Sequence, residues 1–200
     1  MSHITYHYLY NGDQLQGNYL YDINHLPDKK LQEKLYQRYI DDVESRLKVN
    51  KSGKELLPIL QSKKTLKEKA NFYFELVYER AGKVLGKPYF GVYGIYTTPA
   101  DLFDPNIQLK TDSAPLKYRL AFDCDTIDPK VIIIRMGADC YPYNESNWDK
   151  FCKPFVDDPK MTSKMYNKYK TRKFRVVPQV VIYLPKLKFN KSQLEEAIPQ

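Results

Sequence analysis

The first half of the chain carries hydrophobic residues at the spacing of an amphipathic helix. After Asp28, a residue type that favours the N-cap position, apolar side chains recur every four positions for about five turns. The residues of this stripe are Leu31, Leu35, Tyr39, Val43 and Leu47. The pattern predicts a long helix that begins near Asp28 and ends near Gly53.

A similar stripe predicts a second long helix from about Thr65 to Ala81, and Gly82 is expected to end it. A short helical turn around residues 55–61 is expected to join the two helices. Together these elements predict a helical part that spans about residues 28–82.

Beyond residue 88 the pattern changes to short runs of β-branched and aromatic residues, which are typical of strands. Turns rich in Pro, Asp and Asn separate four such runs, at about residues 89–97, 118–124, 130–136 and 174–184. The N-terminal HITYHYLY predicts a further strand, and residues 146–169 predict a helical or irregular insert. Near the end of the chain, Ser192 and Glu195 form the S-x-x-E pattern of a capping box, which predicts a short helix.

Segregation of helices and strands along the chain favours an α+β fold. We predict a single domain over residues 1–200, with a helical part at about 28–82 and a strand-rich part at about 88–190. Its sheet is expected to be mostly antiparallel, with about five to six strands, and to be flanked by two long N-terminal helices. A chain of this length supplies enough apolar material for one sizeable core.

The composition is basic and rich in tyrosine. The formal net charge is +8, which attracts nucleic acid or another acidic partner, and the chain contains 18 tyrosines, a residue type suited to half-buried binding surfaces. Lysine outnumbers arginine, and arginine is the residue that usually contacts phosphates and bases in a bidentate way. Solvated lysine faces are therefore the simpler account of the charge. The composition leaves open a non-catalytic interaction module that binds a protein or a nucleic acid.

The three cysteines, Cys124, Cys140 and Cys152, are odd in number and form no C-x-x-C pair. This favours free thiols in a reducing compartment over a disulfide framework or a zinc site. No N-terminal apolar run resembles a signal peptide, and no segment reaches the ~18–20 apolar residues of a membrane span. We therefore expect a cytoplasmic protein, although an effector delivered by a dedicated secretion machine would show the same features.

An Asp-x-Asp pair in the run FDCDTID is the candidate metal site. Asp123 and Asp125 alternate along a predicted strand, so both carboxylates would project from one face and could share a divalent cation. The run resembles the first motif of haloacid-dehalogenase-like phosphatases and the D-x-D motif of glycosyltransferases, which implies metal-dependent phosphate or sugar chemistry. A simpler interpretation places both carboxylates on the solvent face, with Phe122 and Cys124 packed inward.

The order of elements resembles that of small ADP-ribosyltransferase-like domains. In that family a first strand is followed by a helical segment and then by a strand that bears an aromatic residue. Here ITYHYLY resembles the first strand, the helical part follows it, and YGIYTTPADL resembles the aromatic-bearing strand. The resemblance implies NAD as a cofactor, with His7 on the ribose and with Tyr93 or Tyr96 stacked on nicotinamide beside Gly94. Gln179 stands where the family has its catalytic glutamate, which implies a degenerate or inactive transferase acting on a macromolecular target.

Overall fold

The computed structural model describes residues 2–9, 14–49, 53–86, 91–107, 117–137, 139–170 and 177–197. Within these ranges the chain folds into helices and antiparallel sheets, which confirms the predicted α+β class. Parts of three predicted strands, at residues 10, 89–90 and 174–176, lie outside the described residues. None of the described helices combines the length and the hydrophobicity that a bilayer-spanning helix requires.

The described strands form three sheets in which every pair is antiparallel. The strands are β1 (Ile4–Leu9), β2 (Leu15–Gln16), β3 (Tyr19–Tyr21), β4 (Ile95–Thr97), β5 (Tyr118–Asp123), β6 (Ile132–Met136), β7 (Asp139–Pro142), β8 (Gln179–Ile182), β9 (Lys186–Lys188) and β10 (Leu194–Glu196). The sheet orders are β1-β5-β10, β2-β3-β9 and β4-β8-β6-β7.

A backbone bridge joins two of these sheets. Tyr6 donates its N–H to the carbonyl oxygen of Thr98 at 2.8 Å, and Thr98 donates back to the carbonyl oxygen of Tyr6 at 3.0 Å. Strands β10, β5, β1, β4, β8, β6 and β7 therefore lie side by side in that order. The prediction of one sheet with five to six strands is wrong in detail, because this layer is larger and β2, β3 and β9 form a separate sheet.

Two long helices lie in the first half of the chain, with a shorter one between them and three more in the predicted insert. They are α1 (Lys29–Val49), α2 (Gly53–Ser62), α3 (Leu66–Leu85), α4 (Glu145–Phe151), α5 (Lys153–Asp157) and α6 (Lys160–Lys170). The predicted pair of long N-terminal helices is thus roughly matched. Four 3₁₀ turns, Ile23–His25, Cys124–Thr126, Pro129–Val131 and Lys191–Gln193, connect elements within the described residues.

The ends of α3 are set by local capping. Thr65 accepts from the backbone N–H of Glu68, and the Glu68 side chain accepts from the Thr65 N–H, which completes a capping box. The prediction that Gly82 ends this helix is wrong, because α3 continues to Leu85. Gly86, with φ of 70°, is its C-cap, and the left-handed conformation there costs a glycine little.

The predicted C-terminal helix is also wrong. Lys191–Gln193 form one 3₁₀ turn, and Leu194–Glu196 form β10, which pairs with β5. The capping box in this segment belongs to Asn190, whose N–H donates to Oε1 of Gln193 at 2.8 Å. A single helical turn is marginal on its own, whereas the edge of β5 offers backbone partners to the whole segment.

Strands β6 and β8 are buried on both faces, and their alternating side chains separate two cores. Ile133 and Val181 face α1 and α3, where they pack in a cluster that includes Phe74. Ile132 and Ile182 face the opposite way, into a cluster shared with β1, β5 and α4. Because a side chain on a strand points to one face or the other, this division decides which functional residues can meet.

On the outer face of β1 and β5, Arg119 connects four segments of the chain. The guanidinium lies 3.9 Å from the ring centroid of Tyr6 and 4.5 Å from that of Phe103. It donates from Nε to a carboxylate oxygen of Glu195 at 2.6 Å and from Nη1 to Asp101. The Arg119 side chain is 10% exposed, whereas those of Asp101 and Glu195 are 38% and 41% exposed, so the cation is shielded from water and the carboxylates are only partly shielded.

We expect Arg119→Met to lower the free energy of unfolding by about 1–3 kcal/mol, because two partly exposed carboxylates lose their buried cation and two aromatic rings lose the guanidinium. Urea unfolding followed by circular dichroism measures the change. Lys67→Met, at an exposed position of α3, is the matched control and is expected to stay within about 0.5 kcal/mol of the unsubstituted chain. Equal effects of the two substitutions would contradict the role assigned to Arg119.

Candidate functional site

His7 lies on the buried face of β1, and both of its ring nitrogens have partners. Nδ1 donates to the carbonyl oxygen of Tyr96 at 2.7 Å, and Nε2 lies 3.2 Å from Oε1 of Gln14. The residue is 8% exposed, and burial lowers the pKa of the imidazole below its usual value. The Nδ1 hydrogen bond therefore ties β1 to β4, and the side chain of Gln14 lies beside the other ring nitrogen.

The two tyrosines that the resemblance assigns to nicotinamide stacking lie in an aromatic cluster. The ring centroid of Tyr93 is 3.8 Å from that of Phe74, 5.4 Å from that of Tyr39 and 5.1 Å from that of Tyr96. Burial raises the pKa of the Tyr96 phenol, whose oxygen accepts from Arg135 at 3.4 Å. The rings thus contact side chains of α1 and α3, which makes them part of the helix-side core.

Gly94 is required by close packing rather than by a ligand. Its φ of 90° lies in the region that favours glycine, and a Cβ added there would lie 2.7 Å from Cγ1 of Val181. The ring of Tyr183 would be 3.2 Å from the same atom. The space beside Gly94, which the resemblance assigns to the cofactor, is therefore filled by the side chains of Val181 and Tyr183.

Gln179 begins β8 and shares a face with Tyr96. Val181 pairs with Tyr96, and residues two positions apart on a strand point to the same side, so Gln179 faces the helix-side core as well. His7 points the other way, because Leu9, on its face of β1, packs in the opposite cluster. The structure brings Tyr93, Tyr96 and Gly94 together, but it places the His7 side chain across the sheet from Tyr96 and Gln179.

The expectation that Asp123 and Asp125 share a strand face is wrong, because β5 ends at Asp123. Oδ1 of Asp123 accepts from the backbone N–H of Asp125 at 3.1 Å, which starts a 3₁₀ turn. Oδ1 of Asp125 accepts from the hydroxyl of Tyr143 at 2.6 Å, and its Oδ2 accepts from the N–H of His3 at 3.2 Å. The carboxylate of Asp123 therefore caps a 3₁₀ turn, and the carboxylate of Asp125 connects Tyr143 to the N-terminal segment.

The residues next to Asp123 and Asp125 in the sequence face inward, as the simpler interpretation of the Asp-x-Asp pair predicts. Phe122 is 3% exposed and Cys124 is fully buried. Burial raises the pKa of the Cys124 thiol to about 12, and Cys124, Cys140 and Cys152 are all free. Among the described residues, no three His, Cys, Asp or Glu side chains are grouped to hold a metal ion.

A cavity of about 680 Å³ lies between the N-terminal part of β1, residues 99–107 and helices α4 and α5. Its apolar wall includes Tyr6, Trp148 and Phe155, and Val156 lines it with half of its surface exposed. This volume falls within the ~300–1,000 Å³ range of ligand pockets. The cavity is therefore the candidate functional site.

His3 forms part of the cavity wall and is held by a network. Its ring stacks on Trp148 with centroids 4.2 Å apart and planes 17° apart. Nδ1 donates to the hydroxyl of Tyr143 at 2.7 Å, and that hydroxyl donates to Asp125. Nε2 lies 3.4 Å from a carboxylate oxygen of Glu145. These contacts fix the aromatic wall before any ligand arrives.

Carboxylates dominate the charged lining of the cavity. In the part of the lining that the structure describes, Lys153 is accompanied by five acidic residues, namely Asp101, Asp104, Glu145, Asp149 and Asp157. A concave surface lined by one sign of charge focuses the electrostatic potential inside it. The described lining therefore carries more negative than positive side chains, although the chain as a whole has a net charge of +8.

Two of the five carboxylates have a cationic partner. Lys153 lies 3.5 Å from Asp157, and Arg119 contacts Asp101. The other three have no lysine or arginine partner within the ranges that the structure covers. Burial of a cationic ligand group against them would supply the missing charge.

Sequence reasoning missed this cavity, although part of it has a visible signal. Residues 99–107 contain a proline followed by a short acidic segment, which is unusual beside a tyrosine-rich strand. The carboxylates of α4 and α5 lie more than 40 residues further along the chain. Their approach to this segment depends on the bridge between Tyr6 and Thr98, which no local pattern predicts.

We expect millimolar NAD to leave the melting temperature of the chain unchanged, because Tyr93, Tyr96 and the space beside Gly94 already have packing partners. Scanning fluorimetry and isothermal calorimetry measure this. A rise in melting temperature with NAD that His7→Ala abolishes would contradict the expectation. It would support the ribose contact that the resemblance implies.

Comparison with protein-family models, with curated proteins and with solved structures finds no match. The resemblance to ADP-ribosyltransferase-like domains therefore rests on the residues named above, and membership of that family is not shown. The function of the chain is best inferred from the geometry and charge of its own cavity.

Proposed function

We propose that this chain is a non-catalytic interaction module that holds a cationic segment of a protein partner in the cavity between β1 and α4–α5. One observation carries the proposal: among the described residues, five carboxylates and one lysine line the cavity of a chain that is basic as a whole. A partner that presents lysine or arginine would be attracted to this cavity and repelled from much of the remaining surface.

The apolar wall supports a peptide rather than a small inorganic cation. Lysine and arginine carry aliphatic stems that pack on apolar surface while the charged group reaches polar partners. Phe155 and Val156 provide such a surface, and Val156 is 50% exposed. Asp104 and Asp149, which line the same cavity, would receive the charged ends.

The cavity favours binding over chemistry. Its histidine, His3, is stacked on Trp148 and donates from Nδ1 to Tyr143, and its Nε2 lies 3.4 Å from Glu145. Asp101 is held by Arg119, and Asp157 lies near Lys153. A general acid or base has to reach a substrate proton, and these three side chains are directed toward protein partners. Asp104 and Asp149, which are not held in this way, are the carboxylates that we assign to the cationic ligand.

The same lining disfavours nucleic acid at this site. Phosphate groups would approach carboxylates such as Asp104 and Asp149 with like charge, and such a juxtaposition costs several kcal/mol in an interface. Protein is therefore the partner class that fits the cavity.

The NAD-dependent function implied by the resemblance has one observation in its favour. Strands β1 and β4 are neighbours, and His7 lies within 2.7 Å of the carbonyl oxygen of Tyr96. The side chains of His7 and Gln179 lie on opposite faces, however, and an NAD cleft needs them on one. We therefore rank the binding module above the transferase.

A fluorescein-labelled octapeptide of alternating lysine and valine is expected to bind at low salt, because its charge and its apolar side chains match the cavity. Fluorescence anisotropy measures the affinity. Asp104→Asn combined with Asp149→Asn should weaken binding at least about tenfold, since two of the unpaired carboxylates are removed.

The matched control is Glu33→Gln combined with Glu75→Gln, which removes two exposed carboxylates on α1 and α3. This control should change the affinity by less than about twofold. The same peptide with acetylated lysines should not bind. The proposal fails if the acetylated peptide binds equally well or if both double variants weaken binding to the same extent.

A further inference from the structure

The small sheet β2-β3-β9 presents a second surface of opposite charge. Its inner side packs into the core through Leu20 and Leu187, which are 0% and 6% exposed. Side chains alternate along strands, so Tyr19 and Tyr21 of β3 and the lysines of β9 lie on the other side, where the half-buried Tyr21 also packs against the edge of the helix-side core. We call this outer side the Tyr–Lys face and define it by Tyr19, Tyr21, Lys186 and Lys188.

The register of the sheet interleaves aromatic and cationic side chains. Lys188 lies opposite Tyr19, and Lys186 lies opposite Tyr21. The two lysines are exposed and the two tyrosines are half-buried. The Lys186 ammonium lies 4.4 Å from the ring centroid of Tyr19 and 5.9 Å from that of Tyr21. The positive charge is thus located directly at the aromatic rings.

We propose that the Tyr–Lys face binds single-stranded nucleic acid, with bases stacked on Tyr19 and Tyr21 and phosphates at Lys186 and Lys188. Aromatic side chains on a sheet, flanked by cations, are the two elements that sequence-tolerant single-strand binding requires. This surface is separate from the acidic cavity, which is lined by β1, residues 99–107, α4 and α5. The inference therefore goes beyond the proposed function and does not depend on it.

The spacing of the rings favours a single strand over a duplex. The centroids of Tyr19 and Tyr21 are 6.2 Å apart, with their planes inclined by 53°. Bases stacked in a duplex repeat at ~3.4 Å along each strand, about half of that distance. Two tilted rings this far apart suit successive bases that are splayed from one another, as they are in protein-bound single strands.

The ammonium of Lys186 does not block this arrangement. A cation over an aromatic ring at an exposed site is held more weakly than a stacked base is. A base on Tyr19 can displace the Lys186 ammonium from the ring, and the freed ammonium then meets the adjacent phosphate. Displacement of the ammonium therefore allows a base to stack on Tyr19 while Lys186 contacts the phosphate of the same nucleic-acid strand.

Fluorescence anisotropy with a labelled twelve-residue oligouridylate tests the proposal, and far-UV circular dichroism confirms that each variant is folded. Tyr19→Leu should weaken binding about tenfold, whereas Tyr19→Phe, which keeps the ring, should leave it within about twofold. Lys186→Gln combined with Lys188→Gln should reduce the dependence of the affinity on salt by about one unit of log–log slope. The matched control, Lys30→Gln with Lys34→Gln at exposed positions of α1, should leave the slope unchanged.

Three results would overturn the proposal. The first is no binding of the oligonucleotide even at low salt, and the second is equal loss in the control and in the Lys186 and Lys188 variant. The third is displacement by polyglutamate of equal charge as efficiently as by unlabelled oligonucleotide, which would make the surface a general anion site. Equal affinity for a duplex of the same length would remove the single-strand assignment.

Discussion

The structure depends on burial of β6 and β8 from both sides. Residues such as Ile132 and Ile133 are adjacent in sequence, yet they belong to two separate cores because a strand presents successive side chains to opposite faces. The bridge between Tyr6 and Thr98 extends this rule to β1, so the whole layer has one helix side and one opposite side. Every functional interpretation of the chain has to respect that division.

The division explains why residues with plausible chemistry fail to form a common site. His7 and Tyr96 are neighbours in space, but the contact is made by the Tyr96 carbonyl, and the two rings point to opposite faces. Sequence order predicts which elements follow one another, and it does not predict the side of the sheet on which a residue lies. Asp125 shows a similar limit of sequence-based prediction. Strand β5 ends at Asp123, and the turn that follows directs the Asp125 carboxylate to Tyr143 and to the backbone of His3.

The parts of the fold that were predicted correctly are those set by local periodicity. The stripe through Val43 and Leu47 specifies the buried face of α1, and both residues are indeed buried. Gly82 misled the prediction because a glycine inside a helix costs only about 1 kcal/mol, which the packing of α3 outweighs, while Gly86 has the capping geometry. The capping-box pattern at Ser192 led to a wrong prediction of a helix, because that pattern carries no information about a strand edge nearby. Pairing with β5 determines the structure of this segment.

Net charge was the least informative feature of the sequence for the candidate site. A value of +8 predicts attraction to polyanions, yet most of the charged side chains that line the cavity beside Trp148 are carboxylates. Salt screens charges that are more than about 8 Å apart at physiological ionic strength, so distant lysines on α1 do little to cancel the potential inside the cavity. Binding chemistry is therefore set by the few charges that the fold brings within that distance. In this protein the fold places carboxylates around α4 and lysines on β9. The net charge of the whole chain indicates neither of these two local groups.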